Sequence, residues 1–178
     1  REAVLVSGSG KRIVISIDKI PTNVQYAFLA AEDARFYQHH GVDFVRIGGA
    51  LLKNLKAGEY AQGASTITQQ LIKLTHLSSE KTISRKLQEA LLALQLERLV
   101  TKDEILEMYL NTVYFGKGAY GIEAASKAYF DIPASKLTLG QGALLAGVLK
   151  SPTQYAPHLH LENALRRRKL VLASMVEN

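Results

Sequence analysis

β-Branched and aliphatic runs open the chain. Residues 3–6 and 12–17 flank Ser7-Gly8-Ser9-Gly10, small residues that tolerate positive φ, so a β-hairpin is predicted. Beyond Pro21 the apolar period becomes helical. Val24, Ala27, Phe28 and Ala31 recur at three and four, Thr22 with Gln25 reads as a capping box, and the helix delivers Glu32 and Asp33 at its end. A second helix is predicted over 43–56, stopped by Gly58, and a third from Ser65, whose hydroxyl reads as its cap. Residues 57–62 between them carry small and Gly residues, the composition of a loop that orders when substrate binds. Over 79–100, predicted as the longest helix, Ile83, Leu87, Leu91 and Leu94 mark one face, with Arg85, Lys86 and Glu89 away from it, the usual pattern of an apolar stripe turned toward a core.

Thr101 and Glu104 then form a capping box ahead of Ile105, Leu106, Tyr109 and Leu110. Residues 114–121 place three glycines between aromatics, which reads either as a tight turn with packed rings or as a site. Small residues carry 122–129 as a helix, and Thr138 with Gln141 caps another that runs to Lys150 and stops before Pro152. The last helix, from 161, holds Leu165, Leu172 and Val176 on one side and Arg166, Arg167, Arg168 and Lys169 largely elsewhere. The prediction is a mainly α protein with a short N-terminal hairpin.

At 178 residues, 47% hydrophobic and 21% charged, the chain buries a real core and forms one domain, or one domain with two lobes. The longest uncharged apolar stretch, 137–149, is shorter than the roughly 18 residues needed to span a bilayer. The absence of Cys excludes a disulfide framework, thiolate catalysis and Cys-ligated metal, and leaves the redox compartment open. A formal charge of +6 suits anionic partners in general. The chain opens at Arg1 without an initiator Met, so the expectation is a piece excised from a longer protein.

Candidate chemistry gathers in three places. Glu32 lies where an apolar helix runs out, ahead of Asp33, Phe36 and His39; a partly desolvated carboxyl there serves as general acid or base, and the plain alternative is a solvated helix-end acid. Adjacent acids on a helix point different ways, so Glu32 and Asp33 need not share a task. Ser65, Thr66 and Gln70, with Lys73 one turn on, form a polar helix start suited to phosphate or sugar, or to capping alone. Arg85, Lys86 and Glu89 share a helix surface, either as a solvated ion-pair cluster or as a clamp in which two cations hold a diphosphate and Glu89 orients them or bridges through a divalent ion. Arg166 to Lys169 admits a solvated basic face or contact with anionic lipid or substrate.

These segments resemble the peptidoglycan glycosyltransferase domain, glycosyltransferase family 51, of class A penicillin-binding proteins and monofunctional transglycosylases. Five motifs stand in order: Glu32-Asp33-x-x-Phe36-x-x-His39-x-Gly41; Gly63-x-Ser65-Thr66-Ile67-Thr68-Gln69-Gln70 with Lys73; Arg85-Lys86-x-x-Glu89; Lys102-x-x-Ile105-Leu106-Glu107-x-Tyr109-Leu110-Asn111; and Arg167-Arg168-x-x-Val171-Leu172-x-x-Met175. The resemblance covers residues 20–178, the catalytic domain, with 1–19 as a lead-in hairpin.

The resemblance implies a lysozyme-like two-lobed helical fold, a head and an apolar jaw that dips into the membrane, and polymerisation of lipid II into β-1,4 glycan with inversion and release of undecaprenyl diphosphate. It implies Glu32 as the base and Glu89 as a second catalytic carboxylate that positions the cations. Lys73, Arg85 and Lys86 would lie at the diphosphate, Ser65, Thr66 and Gln70 on phosphate or sugar groups, and Asp33, Phe36 and His39 around the donor pocket. Asn111 and Arg167 read as helix-packing residues. No cofactor is required; a divalent cation, Mg or Mn, is admitted at the diphosphate near Glu89. Partners are lipid II, the growing glycan and the membrane surface, with no nucleic acid; a fused transpeptidase domain and other cell wall synthesis proteins are admitted. The implied location is the outer face of the bacterial cytoplasmic membrane, anchored by a transmembrane helix absent from this chain. In the jaw, Val42, Phe44, Ile47, Leu51, Leu52 and Leu55 face either a core or lipid, and Lys53 and Lys56 among them tilt the reading toward an interface. Two other readings stand beside this one: a glycan-cleaving enzyme of lysozyme-like fold with Glu32 as general acid, which needs no diphosphate site, and a non-enzymatic basic surface module.

Overall fold

The structure, a computed structural model, describes residues 3–7, 10–57, 64–77 and 80–178. Two strands, β1 (Ala3–Ser7) and β2 (Gly10–Val14), precede helices α1 (Thr22–Glu32), α2 (Phe44–Ala57), α3 (Ile67–His76), α4 (Ile83–Leu99), α5 (Lys102–Leu110), α6 (Ile122–Phe130), α7 (Leu139–Val148), α8 (Pro152–Tyr155) and α9 (Leu161–Glu177). The mainly α class and the hairpin are therefore as the sequence predicts. The strands pair antiparallel from Ala3 opposite Val14 to Ser7 opposite Gly10. The hairpin turn at 8 and 9, and the loop predicted to order on substrate beyond Ala57, lie outside the described residues. The chain divides into two compact units, one of Arg1–Ala34 with Leu106–Asn178 and one of Arg35–Ile105.

The first unit is organised around α7, every residue of which from 142 to 148 is buried. Its start is the predicted capping box: Thr138 N–H donates to Gln141 Oε1 at 3.0 Å and Gln141 N–H to Thr138 Oγ1 at 3.3 Å. α1 and α9 both pack on α7 and on each other. A Cβ at Gly142 would stand 2.8 Å from both Val24 methyls, so glycine is what lets α1 close on α7. Phe28 of α1 meets Phe115 edge to face at 5.9 Å between centroids.

Two readings of this unit need correction. α1 has no side-chain cap; Pro21 precedes it, and the Gln25 amide instead donates to the Ile17 and Ile20 carbonyls at 3.0 and 2.9 Å. On α9 the buried stripe is Ala164 and Val171, with the Arg167 stem lying against Gly147, while Leu165 is exposed and Val176 is 88% exposed. A small residue and an alkyl stem suit that close approach better than the leucines do.

The segment that follows β2 is held by α5. Asn111 treats Ile15 as a strand partner would, accepting its N–H at 3.0 Å and donating to its carbonyl at 2.9 Å, and Glu107 accepts the Ile17 N–H at 2.8 Å. Each such bond is worth about 1 kcal/mol net, more if its loss leaves a buried group unpaired. Residues 114–121 form a turn in which Tyr114 bridges Tyr120, the rings are 4.6 Å apart, and Gly116, Gly118 and Gly121 take positive φ.

In the second unit α3 packs on α4. The cap of α3 is Thr66, one residue later than predicted: Gln69 N–H donates to Thr66 Oγ1 at 3.1 Å and Thr66 N–H to Gln69 Oε1 at 3.0 Å. A capping box needs its amide three residues on, and Gln69 supplies it to Thr66, not to Ser65. α4 starts after Thr82, which caps Arg85, and at 17 residues it equals α9 in length. Its apolar stripe is turned outward: Ile83 is 83% exposed and Leu87 and Leu91 each 61%, whereas Glu89 is 7% and Ala93 0% exposed. The expectation of an inward apolar face is overturned because the side against α3 holds Glu89 through ion pairing. On α2, Phe44, Val45, Leu51 and Leu52 are likewise exposed, with Val42 buried just ahead of the helix. Asp43 caps α2 through the Arg46 N–H at 3.0 Å and pairs with Arg35 at 3.2 Å. Among the described residues no helix is long and apolar enough to cross a membrane.

Candidate active site

Glu32 is the last residue of α1, half-buried, with its Oε1 out of solvent. Asp33 follows as the C-cap, 1% exposed, its N–H closing the helix on the Leu29 carbonyl at 2.8 Å. Tyr109, fully buried in α5 of the same unit, feels both acids: burial first, then the Glu32 and Asp33 charges, push its phenol well above its ordinary value. Tyr109 is therefore a neutral hydroxyl at any working pH, and it joins the two acids as a residue the motif reading had placed only in packing.

The second unit holds the cations. A cavity of about 390 Å³ is lined by Ser65, Gln70, Lys73, Arg85, Lys86 and Glu89 from the motifs, together with Glu80, Lys81 and Thr82 from the stretch leading into α4. Lys86 Nζ donates to Ser65 Oγ at 2.5 Å and to Glu89 Oε1 at 2.8 Å, so it ties the entry of α3 to α4. Arg85 pairs with Gln88 at 3.0 Å and reaches Glu80 at 3.8 Å, not Glu89, which leaves Glu89 to Lys86. Four cationic side chains face two carboxylates in this lining. The surplus of positive charge in a concave, partly enclosed site attracts a dianion such as a diphosphate. Lys81 was missed by the sequence reading because it falls between motifs, at the start of the predicted 79–100 helix, where nothing sets it apart from a surface charge.

Thr66, Phe36 and His39, expected at the phosphate or sugar groups and around the donor pocket, do not line this cavity. Thr66 is wholly buried, its hydroxyl occupied by the Gln69 cap and by donation to the Gly41 carbonyl at 2.6 Å. Phe36 is fully buried, edge-on to Tyr37 and His39, with Lys102 Nζ 4.4 Å above its ring. Tyr37 in turn donates to Asp103 at 2.9 Å. His39 Nδ1 receives the Gly41 N–H at 3.0 Å and has Lys102 Nζ at 3.4 Å.

Beside it lies Glu97, ion-paired with Lys102 and 3.6 Å from His39 Nδ1. Burial pushes the Glu97 carboxyl up, but His39 and the Lys102 ammonium outweigh burial and hold it below the ordinary 4.5. A carboxyl whose folded value is depressed stabilises the fold fully above its unfolded value and loses that contribution as pH falls through the folded one. Acid unfolding of residues 35–105 is thus expected to begin below about pH 4.5, and Glu97→Gln is expected to flatten that part of the stability curve in a urea titration repeated from pH 6 to pH 3. An unchanged curve would mean that the pair contributes nothing.

Comparison with known proteins adds a lineage to this geometry. A family model described as Transglycosylase matches residues 2–176, the hairpin included. Penicillin-binding protein 1A/1B of Bacillus subtilis (strain 168) is 54% identical over 169 residues, covering 94% of this chain and 18% of that protein. Penicillin-binding protein 1A of Aquifex aeolicus (strain VF5) is 50% identical over 170 residues, 96% of this chain and 23% of that one, and that of Escherichia coli (strain K12) is 46% identical over 176 residues, 99% and 21%. The chain thus spans about a fifth of the length of these curated relatives. The crystal structure of penicillin-binding protein 1A from Haemophilus influenzae superposes with a TM-score of 0.52 at 22% identity, over 99% of this chain and 17% of that one, a likeness of fold.

Proposed function

Since the chain belongs to the transglycosylase family, we propose that it is a peptidoglycan glycosyltransferase that polymerises lipid II into β-1,4 glycan for bacterial cell wall synthesis. The observation that carries the reading is the cationic cavity between α3 and α4, which suits the diphosphate of a lipid-linked donor and has no use in an enzyme that cuts finished glycan.

In this mechanism Glu32 takes the proton from the 4-hydroxyl of the acceptor lipid II as that oxygen attacks the anomeric carbon of the growing chain, inverting it. The bond to undecaprenyl diphosphate breaks, and its electron pair goes to the phosphate oxygen. Lys73, Arg85 and Lys86 stabilise the charge that builds there, more in the transition state than in the ground state. Glu89 holds Lys86 in place and Ser65 supplies a further polar contact to the same ammonium. Gln70, in the cavity wall, binds phosphate or sugar oxygens.

Among the described residues no three His, Asp, Glu or Cys side chains gather as a metal cage. A Mg or Mn ion at the diphosphate would be held chiefly by phosphate oxygens, with Glu89 as its protein ligand. The exposed apolar faces of α2 and α4, Phe44, Leu51 and Leu52 on one and Ile83, Leu87 and Leu91 on the other, suit an interface with lipid, where such a substrate resides. The proposal places the protein on the outer face of the cytoplasmic membrane, in a longer anchored chain, with or without a fused transpeptidase domain.

The test is incubation of the purified protein with lipid II in detergent, with products separated by length. A ladder of glycan chains is expected. Untouched lipid II together with shortening of preformed glycan would replace the transferase by a hydrolase.

A further inference from the structure

We infer that Glu97 is a positioning residue for the cationic cavity: with Lys102 and His39 it fixes the backbone at Gly41, and through Gly41 the start of the helix that carries Gln70 and Lys73. The inference rests on the reading of that cavity as a diphosphate site. Glu97 lies outside all five motifs, yet it continues the inward stripe of α4 at intervals of four, Glu89, Ala93, Glu97. Its side chain is only 5% exposed.

The links are short and each is geometric. Glu97 neutralises the Lys102 ammonium, which is thereby kept beside His39 Nδ1 and over the Phe36 ring. His39 Nδ1 accepts the Gly41 N–H, and the Gly41 carbonyl accepts the Thr66 hydroxyl at 2.6 Å, so this one peptide is gripped on both sides. Gly41 has φ +113°, and a Cβ there would stand 2.7 Å from the Ala93 carbonyl oxygen and 3.0 Å from Glu97 Oε2. Its backbone is therefore seated directly on α4 between two members of the stripe. Thr66, held by Gly41, caps α3, and one and two turns further on come Gln70 and Lys73 in the cavity wall. Without the Glu97 charge, Lys102 is drawn to water, His39 loses a neighbour at Nδ1, and the position of the α3 start relaxes.

The experiment compares wild type, Glu97→Gln and Glu97→Asp in two assays. One is calorimetric titration with inorganic pyrophosphate, and the other is KM against kcat for lipid II polymerisation. For Glu97→Gln the pyrophosphate Kd and the lipid II KM are expected to rise about tenfold, with kcat lowered less than threefold, and Glu97→Asp is expected to recover most of the loss. Should Glu97→Gln not fold, the Glu97→Leu/Lys102→Met double variant, which buries no unpaired charge, takes its place with the same tenfold expectation. Kd and KM within twofold of wild type, with only a lower melting temperature, would overturn the inference, as would a wild type that binds no pyrophosphate. A wild type that binds pyrophosphate but polymerises nothing would sink the proposed function alone, because the calorimetric comparison still reads the positioning role.

Discussion

Glu32→Gln is expected to abolish glycan polymerisation, with chain growth slowed about a thousandfold, within the range that a positioned general base supplies. Glutamine keeps the shape and the hydrogen-bonding reach of the side chain but cannot take the proton from the attacking hydroxyl. Glu32 is half-buried at the end of α1 and glutamine fills the same volume there, so the melting temperature is expected to stay within a few degrees of wild type. The rate of lipid II consumption and the melting curve, measured on one preparation, separate lost chemistry from lost fold. A variant within tenfold of wild type would move the base elsewhere.

The second large effect is expected at Lys86. Lys86→Met keeps the alkyl stem and removes the charge that the cavity presents to the leaving diphosphate, and a loss of about a hundredfold in kcat is the usual consequence of deleting one such stabilising group. KM is expected to change much less, because the interaction strengthens as charge develops. Lys86 is also the partner of Glu89, which is 7% exposed, so the variant leaves a buried carboxylate without its cation and melts several degrees lower. Lys169→Met in the basic run of α9, a charge of the same sign on an exposed surface, is expected to leave kcat unchanged. Equal losses at both positions would show a general electrostatic attraction to substrate, not a placed cation; no loss at Lys86 would remove it from the reaction.

Much of this was legible along the chain. The motif residues Ser65, Gln70, Lys73, Arg85, Lys86 and Glu89 are read directly, and the structure brings all six to the wall of one cavity. Capping signals worked where the amide stands three residues after the hydroxyl, as at Thr138 and Gln141, and slipped by one at Ser65 and Thr66, where two hydroxyls compete and only one has Gln69 in register. Glu97 and Lys81 gave no signal, since neither spacing nor neighbours distinguish them from surface charges.

What the sequence determined by itself was the succession of elements and the identity of the chemical groups, because helical period, caps and glycine positions are local properties. What only the tertiary structure decided was which face of each helix is inside. α4 carries its leucines outward and its acids inward, against the ordinary rule, because Lys86 three residues away, and Lys102 and His39 from other elements, supply the charge and hydrogen bonds that let Glu89 and Glu97 be buried. α9 buries an arginine stem because Gly147 leaves room for it. Burial depends on what another part of the chain brings to the same place, and neither period nor composition holds that information.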